Sequence, residues 1–204
     1  MSTLTAPLHG TPPRLAPGPP RAKRWTVDEF HWLWENNRFE GTKPMLLDGE
    51  IVVTAIPGPP HDQGIGLADY SLKSVFQSGY WVRVQQSLPL GLWSDPVPDI
   101  AVVRGSPRDY SSLPKSALLI VEISDTSLDS DIGRKAVLYA TAQIQDYWVV
   151  DLNGRQLIVF CNPVADPESP GRLKYSQVIY HDEAESVSSL VMPDRPISVA
   201  DLLP

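Results

Sequence analysis

The stretch that decides the fold is LLIVEISDTSLDSDIGRKAVLYATAQIQDYWVVD, residues 118–151. It begins with a short run of branched aliphatic residues that one carboxylate, Glu122, interrupts. A run of this length and composition is typical of a buried strand. An ionised carboxylate in such a strand costs roughly several kcal/mol unless it is paired, neutralised or bound to a metal. Glu122 is therefore the residue that requires an explanation.

The pattern around this strand predicts a sheet with helices packed against it. Within the quoted stretch, residues 131–142 have helical spacing of apolar side chains, and residues 147–150 form a second buried strand. Two more helices are predicted, one over 25–37 that begins with a Thr26/Glu29 capping box and one over 62–78. Asp48-Gly49 predicts the turn of a hairpin over 45–53. Further predicted strands cover 81–84, 88–92, 98–103 and 156–160, followed by two short strand-like pieces and a turn over 199–203. This order of elements predicts an α/β (α+β) fold.

Composition indicates one globular domain behind a tail. The chain has 204 residues, of which 42% are hydrophobic and 20% charged, enough for a core over residues 25–204. Residues 1–24 are rich in Pro and Gly, which predicts a flexible tail ending in the basic cluster Arg21, Lys23 and Arg24. The single cysteine, Cys161, excludes an internal disulfide and favours a reducing compartment.

Neither a membrane span nor a secretory signal is visible in the sequence. No stretch reaches the roughly 18 to 20 apolar residues of a membrane helix, and the N-terminus lacks a basic-then-apolar order. We therefore expect a cytoplasmic protein. The formal net charge of −7 counts against broad, nonspecific binding to a nucleic-acid backbone. It does not exclude a nuclease, because a carboxylate site that binds a divalent metal concentrates negative charge where the cation offsets it.

Two carboxylates share the same unusual setting. Asp99 precedes the apolar run of residues 100–103, and Glu122 lies in the run that follows along the chain. Neighbouring strands lie about 4.8 Å apart, so acids at matching heights could share one divalent cation. Oxygen ligands suit Mg²⁺ or Mn²⁺ better than zinc. Lys135, near the start of the next helix, has a spacing that permits its amine to return to this pair.

Each of these residues also has a structural explanation. Glu122 could accept hydrogen bonds from backbone amides or a nearby arginine, and Asp99, which follows a proline, could cap a turn. Lys135 could be a solvated helix lysine or the i,i+4 partner of Asp131. The residues alone leave these alternatives open.

An ordered set of motifs resembles the Uma-type family of putative restriction endonucleases, within the PD-(D/E)XK nuclease superfamily. The resemblance spans roughly Trp25 to the C-terminus. The motifs that carry it are Leu47-Asp-Gly-Glu50, His61, Pro98-Asp99, Val121-Glu-Ile-Ser124, Asp131 through Gly133 to Lys135, Leu138-Tyr-Ala140 and Tyr147-Trp-Val-Val-Asp151.

The resemblance implies a restriction-endonuclease-like mixed β-sheet flanked by helices, with a Mg²⁺ site at one edge. It implies that Asp99 and Glu122 bind the metal and that the carbonyl of Ile123 completes the shell. The superfamily lysine ordinarily lies two residues after the second acid, where this chain has Ser124, and the resemblance assigns that role to Lys135. Glu50 would be an additional acid near the site.

Two positions depart from the family pattern, and two further residues are candidates for substrate contact. Met45 stands where the family often has an acid, and Ile132 stands where an arginine often follows the aspartate. His61 is a candidate proton shuttle or phosphate contact. Gln85, predicted to lie in a strand, could present its amide to a cleft.

The expected function is Mg²⁺-dependent hydrolysis of DNA phosphodiester bonds, with Mn²⁺ as a substitute metal. Asp99, Glu122, Lys135 and Glu50 are the expected catalytic residues. A homodimer is also expected, because double-strand cleavage needs two sites.

The first alternative is a non-enzymatic module that keeps the nuclease fold to bind DNA or a protein partner, as the acidic balance, Met45 and Ile132 suggest. The second is a domain whose strand acids are purely structural.

Overall fold

The computed structural model describes residues 20–39, 41–53 and 58–204, which fall into two compact units. Unit 1 contains the described residues before Thr54 together with Pro89–Pro96. Unit 2 contains the described residues of Ala55–Leu88 and Val97–Pro204. Most of the predicted tail, residues 1–24, lies outside the described residues, so its boundary and flexibility stay predictions.

Unit 1 is built from one helix and one hairpin. The helix is α1 (Val27–Glu35), and the hairpin joins β1 (Pro44–Leu47) to β2 (Glu50–Val53). The predicted capping box is present, because the hydroxyl of Thr26 accepts the amide of Glu29 and the Glu29 carboxylate accepts the amide of Thr26. Asp48 and Gly49 have φ angles of 53° and 83°, the left-handed conformation that a two-residue hairpin turn requires.

Unit 2 is organised around a six-stranded sheet. Its elements are α2 (Pro59–Val75), β3 (Tyr80–Val84), β4 (Ile100–Arg104), β5 (Leu119–Ser124), α3 (Leu128–Ser130), a π-helical turn (Asp131–Lys135), α4 (Ala136–Thr141), β6 (Asp146–Asp151), β7 (Gln156–Ala165), β8 (Leu173–Asp182), β9 (Ser186–Val187) and β10 (Ile197–Ser198). The strand order is β3-β4-β5-β6-β7-β8. Of these neighbours only β5 and β6 run parallel, and the other pairs are antiparallel. The predicted mixed sheet flanked by helices is confirmed.

The two faces of the sheet pack against different helices. Val121 and Ile123 of β5 join the apolar core that includes Leu72 of α2. Because strand side chains alternate, Glu122 points to the opposite face. There the hydroxyl of Tyr139, from α4, reaches it. The sequence period of two therefore puts this carboxylate on the α4 face of a strand that is buried throughout.

Several predicted boundaries differ from the structure. The predicted strand over 88–92 is wrong, because Pro89 cannot donate to a ladder and Gly91 adopts a φ of 73°. The helix predicted from residue 62 begins at Pro59, whose fixed φ suits a first helical position. The helix predicted from residue 131 begins at Leu128 and contains the π-helical turn.

The last strands are longer than their sequence suggested. The strand predicted over 156–160 continues to Ala165, and its partner β8, predicted only as a short strand-like piece, has ten residues. The outer strand β8 is largely exposed, so it lacks the alternation of apolar and polar residues that marks a half-buried strand. Among the helices in the described part of the chain, none is long and apolar enough to span a membrane.

The approach of α2 to β5 gives a stability prediction. A Cβ at Gly64 would lie 2.7 Å from the Cγ2 methyl of Ile123, a branched side chain that is fully buried and has no room to move. We expect Gly64→Ala to lower the free energy of unfolding by about 1–3 kcal/mol through overpacking, as measured by urea denaturation.

Gly66 of the same helix is the matched control, because a Cβ there meets nothing within 4 Å. We expect Gly66→Ala to raise the free energy of unfolding by about 0.5–1 kcal/mol through helix propensity. Equal effects of the two substitutions would contradict the close packing of α2 on β5.

Unit 1 contains a pair that should make stability depend on pH. The Nε2 of His31 lies 2.6 Å from Oδ2 of the buried Asp95, and this hydrogen bond raises the pKa of His31. Because the pKa of His31 is raised in the folded state, protonation of His31 stabilises the fold. This stabilisation is complete below the unfolded-state pKa of about 6.5 and is lost as pH rises through the folded-state pKa.

We therefore expect His31→Gln to cost about 0.5–1 kcal/mol at pH 5.5 and less at pH 9, since the histidine is partly exposed. Thermal unfolding of both proteins across this range measures the difference. A cost that is constant with pH would contradict a charged His31–Asp95 pair.

Candidate active site

Asp99 and Glu122 form a directly opposed pair on neighbouring strands. The antiparallel register pairs Ile100 of β4 with Val121 of β5, so Asp99, just before β4, lies opposite Glu122. Opposed residues point to the same face of a sheet. The amide of Ile123 donates to Oδ2 of Asp99 at 2.9 Å, and the amide of Asp99 lies 3.4 Å from Oε2 of Glu122. The structure thus brings together the two acids that the sequence singled out.

Glu122 is one of the most deeply buried charged groups among the described residues, with 1% of its surface exposed. Both of its carboxylate oxygens have partners. Oε1 accepts the hydroxyl of Tyr139 at 2.6 Å, and Oε2 lies 3.0 Å from the amine of Lys135. Burial raises the pKa of Glu122 to about 7, although Lys135 opposes the shift, and the nearby charge of Asp99 adds to it.

Lys135 bridges two carboxylates. Its Nζ lies 3.0 Å from Oε2 of Glu122 and 2.9 Å from Oδ1 of Asp131, and 13% of its side chain is exposed. Burial alone would lower the pKa of Lys135, but the two carboxylates outweigh it and raise the pKa above its usual value. The amine is therefore a fixed ammonium group. Lys135 ends a π-helical turn, a widened turn that is frequent at functional sites.

His61 contacts the second carboxylate from the first turn of α2. Its Nε2 lies 3.2 Å from Oδ2 of Asp99, and this hydrogen bond raises the pKa of His61. For Asp99, burial favours the protonated form, but His61 and the amide of Ile123 reverse this and lower the pKa of Asp99. The Nδ1 of His61 is buried and has no hydrogen-bond partner in the described part of the chain.

Glu50 and Gln85, the other two predicted site residues, are both exposed. Glu50 is an exposed residue of β2 in unit 1, whereas Asp99, Glu122 and Lys135 belong to unit 2. The prediction that Gln85 lies in a strand is wrong, because β3 ends at Val84 and Gln85 has a φ of 48°. The side chain of Gln85 is exposed, and its amide donates to the carbonyl of Asp99 at 2.9 Å.

Sequence reasoning missed two residues of this network. In the sequence, Asp131 appears only within a family motif and as an i,i+4 partner of Lys135, and Tyr139 only within the motif of residues 138–140. Both are buried in the structure, where Asp131 forms an ion pair with Lys135 and the hydroxyl of Tyr139 donates to Glu122. Their spacing of four residues on either side of Lys135 is the signal that could have identified them, because i,i+4 positions lie on one helix face.

The polar network contains three carboxylates, those of Asp99, Glu122 and Asp131, but they do not form a preassembled metal-binding cluster. Within residues 20–39, 41–53 and 58–204, no group of three or more His, Cys, Asp or Glu side chains is arranged to hold a metal ion. Oδ1 of Asp99 accepts no hydrogen bond from any residue in those ranges. This oxygen is the one that the protein leaves available at the pair.

Comparison with known proteins identifies a family and a fold. The family model named Uma2, described as "Putative restriction endonuclease", matches residues 27–200. A crystal structure of a putative nuclease belonging to DUF820, from Anabaena variabilis, is similar with a TM-score of 0.62 and 16% identity, and the match covers 87% of this chain and 96% of that chain. At this identity the likeness shows the fold alone.

A second structure is similar over a smaller region. The type IIG restriction endonuclease BpuSI matches with a TM-score of 0.30 and 18% identity, covering 61% of this chain and 14% of that chain. No protein with a curated description matches.

The bridging position of Lys135 predicts unequal effects of removing either charge. Lys135→Met leaves two buried carboxylates without their cation, so we expect a loss of about 3–5 kcal/mol in the free energy of unfolding at pH 8. Glu122→Gln leaves Lys135 paired with Asp131 and keeps an acceptor for Tyr139, so we expect a change below about 2 kcal/mol. Urea denaturation measures both.

The control is Lys73→Met, which breaks an exposed i,i+4 pair with Asp69 and should change stability by about 0.5 kcal/mol or less. The loss from Lys135→Met should also be smaller at pH 6 than at pH 8. Without the ammonium the folded pKa of Glu122 rises further above its unfolded value, so protonation stabilises the variant as pH falls. Losses equal to that of the control would contradict the buried bridge.

Proposed function

Because the chain belongs to the Uma2 family of putative restriction endonucleases, we propose that it is a Mg²⁺-dependent endonuclease that hydrolyses phosphodiester bonds in DNA. The observation that supports this most strongly is the opposed pair Asp99 and Glu122, with the ammonium of Lys135 at 3.0 Å from Glu122. Two carboxylates and a cation converge there beside the buried apolar residues of β5. Burying three charged groups together is costly, and function is the usual reason that a fold retains them.

The donor atoms at this pair fit a hard divalent cation. Asp99 and Glu122 would hold Mg²⁺, or Mn²⁺ in its place, and the backbone carbonyl of Ile123 would complete the protein ligands. Oδ1 of Asp99 is available among the described residues. Burial raises the pKa of Glu122, the nearby charge of Asp99 adds to this, and a bound cation would favour the ionised form. When bound, such an ion polarises a phosphoryl oxygen and lowers the pKa of water.

Lys135 acts as a positive charge and not as a general base. Its raised pKa keeps it protonated, so it donates hydrogen bonds and cannot remove a proton from water. From its position beside Glu122 it orients the attacking water and offsets negative charge that develops on the phosphate. His61 holds Oδ2 of Asp99 and thereby leaves the other oxygen of that carboxylate for ligation.

DNA is the proposed substrate because the family is one of restriction-endonuclease-like nucleases. A homodimer that supplies one site to each strand remains part of this proposal, and so does the additional acid Glu50.

Two of the basic residues at the end of the predicted tail have hydrogen-bond partners in unit 1. Lys23 donates to the Glu29 carboxylate, and Arg24 donates to the carbonyl of Asp48.

The proposal is tested by nicking of supercoiled plasmid DNA at graded Mg²⁺ and Mn²⁺ concentrations. We expect the wild-type protein to nick DNA only with metal present, and Asp99→Asn and Glu122→Gln each to lower the rate by about 100-fold or more. Asp146→Asn is the matched control. Asp146 is equally buried in unit 2, but it bonds the indole of Trp148 and the amide of Leu190 and not the site.

Far-UV circular dichroism of each variant checks that the fold is retained. Metal-independent nicking, or equal activity of Glu122→Gln and the wild type, would overturn the proposal. Loss of activity in Asp146→Asn with a retained fold would show that the assay does not report on this site.

One observation favours a second candidate, a nuclease-fold module that binds DNA or a protein partner without catalysis. Both oxygens of Glu122 already have protein partners, so the site is complete as an internal ion-pair network. Isothermal titration calorimetry distinguishes the two. The module predicts no Mg²⁺ binding that depends on Asp99 and Glu122, whereas the endonuclease predicts binding that the double substitution Asp99→Asn/Glu122→Gln abolishes.

A further inference from the structure

The helical segment after β5 carries three polar residues on one face. Asp131, Lys135 and Tyr139 are spaced four residues apart and run from the π-helical turn into α4. Asp131 and Tyr139 are fully buried, and Lys135 is largely buried. All three belong to the network of ion pairs and hydrogen bonds around Glu122. A helix face that packs on a sheet is normally apolar, so this polar stripe is unusual.

Asp131 is fixed from two directions. Its Oδ1 lies 2.9 Å from the amine of Lys135, and its Oδ2 accepts the hydroxyl of Ser127 at 2.5 Å. Its backbone carbonyl accepts the hydroxyl of Tyr147 at 2.8 Å. The carboxylate therefore has little freedom to rotate, and the amine that it binds is held in one place.

Tyr139 fixes the carboxylate of Glu122 in the same way. Its hydroxyl donates to Oε1 at 2.6 Å, and its ring packs against Tyr147 with centroids 4.9 Å apart. A tyrosine ring held by packing positions its hydroxyl rigidly. With Oε1 engaged, the other oxygen is directed to Lys135 and to the amide of Asp99.

We propose that Asp131 and Tyr139 are positioning residues of the active site, Asp131 for the ammonium of Lys135 and Tyr139 for the carboxylate of Glu122. This inference rests on the proposed function, because it assigns these residues a purpose at that site. Catalysis by orientation requires groups that are held before substrate binds, and supporting hydrogen bonds provide this.

A purely structural role explains these residues less well. Lys135 already neutralises the buried carboxylate of Glu122, and Asp131 adds a second buried carboxylate beside it. Burying this further charge stabilises the fold little more than an apolar side chain of similar volume would. Phenylalanine would fill the place of Tyr139 without a hydroxyl to satisfy. The polar atoms are therefore retained for the geometry that they impose.

The first experiment uses Asp131→Asn, which keeps the size of the side chain and removes its charge. We expect kcat for DNA nicking to fall about 10- to 100-fold with KM unchanged, because losing an interaction with a charged group typically costs free energy in this range. Asp131→Glu should recover part of kcat, because it restores the charge. Asp69→Asn is the control, since it breaks an i,i+4 pair with Lys73 on an exposed helix surface.

The second experiment uses Tyr139→Phe, for which we expect a fall in kcat of about 10-fold with KM unchanged. Tyr175→Phe is the matched control. Tyr175 is also buried and loses one hydrogen bond, to the carbonyl of Ile144, but it does not touch Glu122. Equal losses of kcat in the two tyrosine variants would overturn the assignment of Tyr139.

A double-mutant cycle separates positioning from stability. If Asp131 acts through Lys135, Asp131→Asn should lower kcat in the wild-type background and have no further effect in Lys135→Gln. A residue with only a structural role lowers activity by the same factor in both backgrounds, and that result would overturn the proposal. If Asp131→Asn does not fold, Ser127→Ala removes the other anchor of the carboxylate and should lower kcat in the same lysine-dependent way.

A measurement without catalysis keeps this inference distinguishable from the proposed function. Exchange of the Lys135 ammonium protons with water, followed by ¹⁵N–¹H NMR, should be slow in the wild type and about 10-fold or more faster in Asp131→Asn. If the wild-type protein nicks no DNA, the proposed function fails, and this exchange still measures whether Asp131 holds the Lys135 ammonium in place. Exchange unchanged by Asp131→Asn would overturn it.

Discussion

Burial of the Glu122 carboxylate is the constraint on which the rest of this site depends. An ionised group within an apolar strand loses its hydration, and polar or charged partners must replace it. The chain supplies the ammonium of Lys135, the hydroxyl of Tyr139 and the amide of Asp99. Removing any one of these leaves part of the desolvation cost uncompensated, so the carboxylate and its surroundings must form together as the sheet and the following helix pack.

Two features of the fold satisfy this constraint. The register of β4 against β5 sets Asp99 opposite Glu122, and the helical segment that follows β5 returns Lys135 and Tyr139 to the same face. The π-helical turn widens the helix where Asp131 and Lys135 must both point inward. Close packing of α2 on the other face fixes Ile123, whose amide binds Asp99. The sheet thus positions the two acids, and the helical segment brings Lys135 and Tyr139 to them.

Much of this arrangement could be predicted from the sequence, and the exceptions have physical causes. The opposed acids followed from the alternation of strand side chains, because each interrupts or precedes an apolar run. Lys135 could be assigned only with the family resemblance, since spacing along a helix does not fix where an amine reaches. The hydrogen bond of Tyr139 to Glu122 could not be predicted, because a buried tyrosine and a hydrogen-bonding tyrosine look alike in sequence. Gln85 was placed in a strand that ends one residue earlier, at a left-handed turn.

We propose that Asp99 and Glu122 share one divalent cation. Family membership supports a nuclease, but the ion is what would convert this buried network into a catalytic site. The most direct measurement is an anomalous difference map from crystals soaked in Mn²⁺. We expect a peak within about 2.0–2.3 Å of an oxygen from each carboxylate. Saturating Mn²⁺ with no peak at this pair, or with peaks only elsewhere on the protein, would contradict it.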